Sequence, residues 1–178
     1  MHKRDFAFDQ RLIRLSLFAL VIGVLSTASA WLLLAGIRLF TNLFFFQALS
    51  LAERSPAAHH LGLWVIVVPA LGGLIVGLMC RYGSEKIRGH GIPEALEAIL
   101  YGKSRMSPKI AALKPLSSAI VIGSGGPFGA EGPIIMTGGA AASLLAQAFH
   151  LTSAERKALL VAGATAGMTA VFGTPLAA

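Results

Sequence analysis

The sequence predicts an all-α, polytopic membrane protein made of long tilted helices and broken, half-membrane ones. Three observations carry this. Hydrophobic residues fill 55% of the 178 positions and charged ones only 13%, roughly half the charge of a soluble domain, and mean hydropathy is +0.72. The apolar residues fall in long uncharged runs. The basic residues behind the net charge of +7 sit at the ends of those runs, where a membrane protein keeps them. They are not interleaved with exposed aromatics, so nucleic acid is not an expected partner. The lone Cys80 excludes an internal disulfide framework and a multi-cysteine metal site.

The uncharged runs cover 15–37, 39–52, 61–80, 115–130, 132–149 and 158–178. A straight span needs about 20 apolar residues, and the first, third and last runs reach that length. The first run is too long for a signal-peptide core. Beyond Arg38, Leu43, Phe44, Phe45 and Phe46 extend it into one long, tilted helix. Residues 1–14 form a basic amino terminus with Lys3, Arg4, Arg11 and Arg14, and Arg81, Lys86, Arg88, Lys103, Arg105 and Lys109 follow the second span. The positive-inside bias therefore assigns the amino terminus and the 81–114 stretch to the cytoplasm. The last run, 158–178, is expected to be helical to the end of the chain.

The fourth and fifth runs are short, 16 to 18 residues, and the nearly uncharged, glycine-rich stretch 123–133 joins them. This suggests two broken helices meeting inside the membrane, because irregular backbone at that depth must line a cavity or be buried in protein. The Gly73/Gly77 spacing and the small-residue faces at 138–142 and 163–167 read as surfaces for close helix packing.

Two segments share one grammar of glycines, a proline and a helix-forming run: Gly89-His90-Gly91-Ile92-Pro93 and Gly129-Ala130-Glu131-Gly132-Pro133. Proline suits a first helical turn. The unpaired N–H groups and positive dipole end of each start make it a potential anion site. Neither is a nucleotide loop, since the Gly-Lys-Ser/Thr of a Walker motif is missing and Phe128 stands where a GxGxxG frame needs glycine.

Glu131 is the leading functional candidate. An intramembrane carboxylate is costly, and at a helix start it is expected to be held by the N–H groups that a mobile anion would use. It would compete with that anion and release the site on protonation. The bland alternative is a capping carboxylate on a surface loop. His90 reads either as a donor to the anion or as a solvated histidine. Glu94 and Glu97 are explained by the helix dipole. Lys114 either snorkels to the interface or adds positive potential to an anion path. His59-His60 cannot share a helix face, which argues against a metal role, and Trp31 and Trp64 are ordinary membrane-segment aromatics. Ser124 raises an intramembrane serine hydrolase as an alternative, but Ile122 spoils the GxSxG pattern.

Gly-His-Gly-Ile-Pro-Glu at 89–94 and Gly-Ala-Glu-Gly-Pro at 129–133, in this order, resemble two signature motifs of the CLC chloride channel and chloride/proton antiporter family. Pro175-Leu176-Ala177, after the small residues 162–167, is similar to a third. The resemblance implies a homodimeric transporter of chloride or a similar small anion, coupled to protons in the antiporters, with a pore in each subunit built from inverted repeats. Residues 1–178 would be the amino-terminal portion of one transmembrane anion-transport domain, ending within the first inverted repeat. Glu131 matches the gating glutamate, Gly132 and Pro133 would start its helix, and Gly89 to Pro93 would form the inner anion-coordinating turn. His90 stands where the family usually has serine, and Ala130 where arginine commonly precedes the glutamate.

A family subunit is more than twice as long, so these residues alone are expected not to conduct. A non-conducting membrane subunit or assembly protein is the remaining alternative. No nucleotide, haem or metal motif appears, so no cofactor is expected and the protein is not expected to be an enzyme. A bacterial inner membrane fits the short basic amino terminus.

Overall fold

The computed structural model describes residues 10–176; Lys3, Arg4 and Ala177 lie outside the described residues. Within them the chain forms six α-helices and no strand: α1 (Gln10–Phe46), α2 (Val67–Tyr82), α3 (Ile92–Leu100), α4 (Pro108–Gly123), α5 (Glu131–Ala148) and α6 (Ser153–Phe172).

The first helix is as long as its apolar pattern predicts. Its 37 residues span about 55 Å at 1.5 Å per residue, far beyond the ~30 Å of a bilayer core. Asn42 closes it: the buried side-chain amide donates to the carbonyls of Arg38, Ser50 and Ala52 at 2.8–3.0 Å. The chain thus turns back after Gln47, whose φ of 51° is left-handed. Two helical segments, Arg11–Phe46 and Gly62–Tyr82, are long and apolar enough to cross a membrane; a 3-10 stretch, Gly62–Ile66, leads into α2.

The fourth and fifth runs form separate helices broken at 124–130, as the short lengths predict. The second start differs slightly, because α5 begins at Glu131 and Pro133 falls at its third position. That is still in the first turn, where a proline's missing N–H costs nothing. The last run differs more. Helix α6 starts at Ser153, five residues early, because Thr152 caps it and Glu155 completes a capping box. It stops at Phe172, since Gly173 takes a left-handed φ of 65°, a common helix stop.

Helix α5 is the centre of the molecule, buried along most of its length, with α1, α4 and α6 against it and α3 at its start. Ala95, Met106, Ile110, Met136, Ala140 and Leu160 form one apolar cluster, and Ala30, Leu33, Ala119 and Ile134 another. Gly138 and Gly163 touch backbone to backbone: a methyl group on Gly163 would lie 2.5 Å from the Gly138 carbonyl oxygen. The small-residue faces of α5 and α6 therefore do what their composition predicts. Gly73 and Gly77 do not, for a Cβ on either meets nothing within 4 Å. The inward face of α2 carries Val68, Gly72 and Cys80 instead, with Gly72 against the Ser124 side chain. An i,i+4 glycine pair marks a smooth helix stripe without saying which way it faces.

Candidate functional site

The loop 88–91 is held from the side by Lys114. This lysine is 2% exposed, and its ammonium donates to the carbonyls of Ile87 at 2.9 Å and Gly89 at 2.7 Å. It does not snorkel; it ties the first glycine motif to α4 and stands at the edge of a cleft beside that motif. Gly89 and Gly91 take φ values of 87° and 106°, open to glycine at little cost. Gly91 then caps α3, and the Glu94 carboxylate folds back to accept its N–H at 2.9 Å. Glycine has no side chain to reciprocate. The first intrahelical bond runs from the Ala95 N–H to the Gly91 carbonyl, which leaves the Ile92 and Glu94 N–H groups ahead of it. Dipole and cap account for Glu94, as its position in the first turn predicts.

The second start lies directly against the first. A Cβ on Gly91 would come within 2.6 Å of the Gly132 carbonyl oxygen, and one on Gly132 would overlap the His90 carbonyl. The two helix N-termini thus meet through main chain alone, which only glycine at both positions permits. Ala130 caps α5 with no side-chain hydrogen bond and packs beside the Ala30–Ile134 cluster. The Glu131 and Gly132 N–H groups precede the first helical bond, from Ile134 N–H to the Ala130 carbonyl.

Glu131 is half-buried. Its carboxylate lies over the Gly129 Cα, where an added methyl group would strike it. Among the described residues it accepts no hydrogen bond and has no ion-pair partner. This corrects the expectation that the helix N–H groups would hold it: as the first residue of α5, its side chain folds back over Gly129 instead. Those N–H groups are left for another acceptor.

A cleft of about 320 Å³ opens beside this junction. Gly89, His90, Gly129 and Pro133 line it, and Lys114 forms part of its wall. Gly91 and Gly132 form the buried main-chain contact and do not line it, while Ile92 and Pro93 are exposed in the first turn of α3. Reading the sequence alone missed Ser117, Ser118, Cys80 and Phe128, which also line the cleft. The signal for the two serines was a polar pair, three and four residues after Lys114, inside an apolar run.

Ser124 is no nucleophile. Fully buried against Gly72, its hydroxyl donates to the Val121 carbonyl at 3.0 Å. His59 accepts the Leu61 N–H at 3.1 Å, a local turn, and no group of three metal-ligating side chains occurs among the described residues.

The family model described as voltage gated chloride channel matches residues 72–178. The chain belongs to this CLC family. It is accordingly a membrane protein of an ion-transporting family and not an enzyme. It is similar to a putative chloride channel protein ClcB-like of Ralstonia nicotianae, at 34% identity over 67% of this chain and 29% of the relative. A voltage-gated ClC-type chloride channel ClcB of Yersinia pseudotuberculosis is 29% identical over 93% of this chain and 40% of its own length. The protein of the same description from Shigella flexneri is 37% identical over 68% of this chain and 29% of its own length. The chain thus spans 29–40% of the length of these curated relatives. No solved structure matches it.

Proposed function

We propose that this CLC chain carries part of the pathway of a chloride channel or chloride/proton antiporter, with the anion bound between the starts of α3 and α5 and Glu131 as its gate. The observation behind this is the main-chain contact of Gly132 with His90, which converges two positive helix ends beside a carboxylate that has no partner among the described residues. The mechanism is electrostatic. Free N–H groups replace part of the anion's hydration, and His90, Gly89 and Gly129 line the approach. An ionised Glu131 side chain competes for the same N–H groups. Protonation removes its attraction to them, which admits the anion and ties access to pH.

His90 offers an imidazole where serine is usual in the family, so selectivity is set by a bulkier donor. With Ala130 before the gate, no cation stands beside Glu131 in the motif. The partial span of the relatives fits a pathway completed by further protein, in a homodimer in a bacterial cell membrane with the 81–114 stretch inside. The experiment is a graft of this chain in place of the matching segment of the Yersinia ClcB relative, followed by chloride flux from proteoliposomes across pH 4–8. Flux should rise with acidity, and Glu131→Gln should render it pH-independent. An unaltered pH profile in that variant refutes the gating role.

A further inference from the structure

We propose a second anion site, separate from the Gly132–His90 junction, in the cleft between the loop 103–106 and the corner joining α5 to α6. Its ligand is a phosphate-type oxyanion, carried either on a lipid headgroup or as free phosphate. The cleft measures about 560 Å³ and is lined by Arg105, Gln147, His150, Thr152, Ser153 and Arg156 among its residues. It shares no lining residue with the cleft at His90.

Arg156 carries the argument. It is 8% exposed, yet among the described residues no carboxylate pairs with it. Its Nε donates to the Lys103 carbonyl at 3.3 Å. Among the described residues the other guanidinium N–H groups have no acceptor, and neither terminal nitrogen is among the fully enclosed unpaired atoms, which are Ser26 Oγ and Asn42 Oδ1. These nitrogens therefore open onto the cleft that Arg156 lines. A guanidinium fork that opens onto a cleft matches two oxygens of a phosphate.

Arg105 is placed beside it by a built support. The Ser143 hydroxyl donates to the Ser104 carbonyl at 2.7 Å and accepts the Met106 N–H at 3.0 Å, while Gln147 reaches the Met106 carbonyl at 3.3 Å. The Ser153 N–H, at the first position of α6, adds a donor ahead of the first helical bond. An adjoining cleft of about 410 Å³ shares His150, Leu151 and Thr152 and brings in Arg11 and Arg14. Among the described residues the one carboxylate lining it is Glu155, which is bonded to Arg11. A phosphate entering the first cleft meets Arg105 and Arg156, and among the described residues no carboxylate lines it. The charge bias puts the corner on the cytoplasmic side, at headgroup level.

The test is native mass spectrometry of the full chain in detergent, with phosphatidic acid and phosphatidylcholine of matched acyl chains, with and without inorganic phosphate. Phosphatidic acid should be retained about tenfold better than phosphatidylcholine, and Arg156→Gln and Arg105→Gln should each lower that preference several-fold. Arg54→Gln, on the exposed connection after α1, should leave it unchanged. Arg105 is exposed, so its variant reads out the site even where Arg156→Gln fails to fold. Competition by millimolar phosphate assigns the site to the free anion, and retention through it assigns the site to the lipid. If the two lipids are retained equally and phosphate does not bind, or if Arg105→Gln retains the full preference, the site is refuted.

Discussion

The Cα of Gly132 rests on the main-chain carbonyl of His90, so closely that a methyl group at position 132 would overlap it. Two segments 42 residues apart in the chain are thereby joined without any side chain. Each brings the positive end of a helix, and the contact sets how near those ends come.

Gly132→Ala should force the two starts apart and lower stability by about 1–3 kcal/mol, the usual cost of overpacking. Gly73→Ala makes the opposite prediction. Its Cβ meets open space in the interior of α2, and the helix-propensity gain is about 1 kcal/mol. Thermal unfolding of both variants in detergent compares them directly; a neutral Gly132→Ala contradicts the contact.

Lys114→Met should leave the Ile87 and Gly89 carbonyls without their charged donor. Hydrogen bonds to charged groups contribute about 1.5–3 kcal/mol. Amide exchange over residues 85–95 should therefore accelerate at least about tenfold, with the α1 amides unchanged. Equal protection in the variant means that the loop holds itself.

Glu155 lies in the first turn of α6, ahead of its apolar run. The Arg11 guanidinium, 2.6 Å away, is the main cause that pulls its carboxyl down from 4.5 to about 2, with the Thr152 hydroxyl and N–H assisting and burial opposing. Because the folded value is depressed, the stabilisation is fully present above the unfolded value of 4.5. It is lost as pH falls from there toward 2. Arg11 is 59% exposed, so solvent screening holds the net effect to about 1 kcal/mol. Glu155→Gln should flatten the decline in unfolding temperature across that acid window, and a decline as steep as in the parent chain disproves the linkage.

Ser143→Ala should detach the 104–106 loop from α5, since the one hydroxyl serves Ser104, Met106 and Gln147 together. A loss of about 1–3 kcal/mol follows from leaving those buried groups unpaired. Ser16→Ala is the control. Ser16 is exposed on α1, and its hydroxyl bonds only to Leu12 of its own helix; it should change stability by less than about 0.5 kcal/mol. Comparable losses in the two variants rule out the clamp.

Much of the architecture was legible because it is local. The apolar runs on either side of Arg38 predict α1, and the short runs around 124–130 predict a break between α4 and α5. The two glycine–proline motifs predict helix starts, because glycine and proline act through their own backbone torsions. The reading erred at both ends of α6, where local cap signals outweighed the apolar run, and at Gly73, Gly77 and Glu131, where the outcome depended on packing. The Thr152–Glu155 capping box moved the start of α6 back into charged residues, and Gly173 stopped it before the apolar run ended. Gly73 and Gly77 had the spacing of an interface and none of its contacts. Glu131 stands at the expected helix start, but its carboxylate turns away from the amides expected to hold it.

By itself the sequence determined that this is a helical membrane chain of the CLC type, with two glycine–proline helix starts and an acidic residue at one of them. Composition, charge placement and glycine–proline grammar are properties of neighbouring residues and need no partner. Only the tertiary structure decided that the starts meet, that Lys114 holds one of them, that Ser117 and Ser118 line the cleft, and that no carboxylate among the described residues pairs with Arg156. Each of these depends on the distance between segments far apart in the chain, and that distance is set by how small residues let α1, α4, α5 and α6 approach.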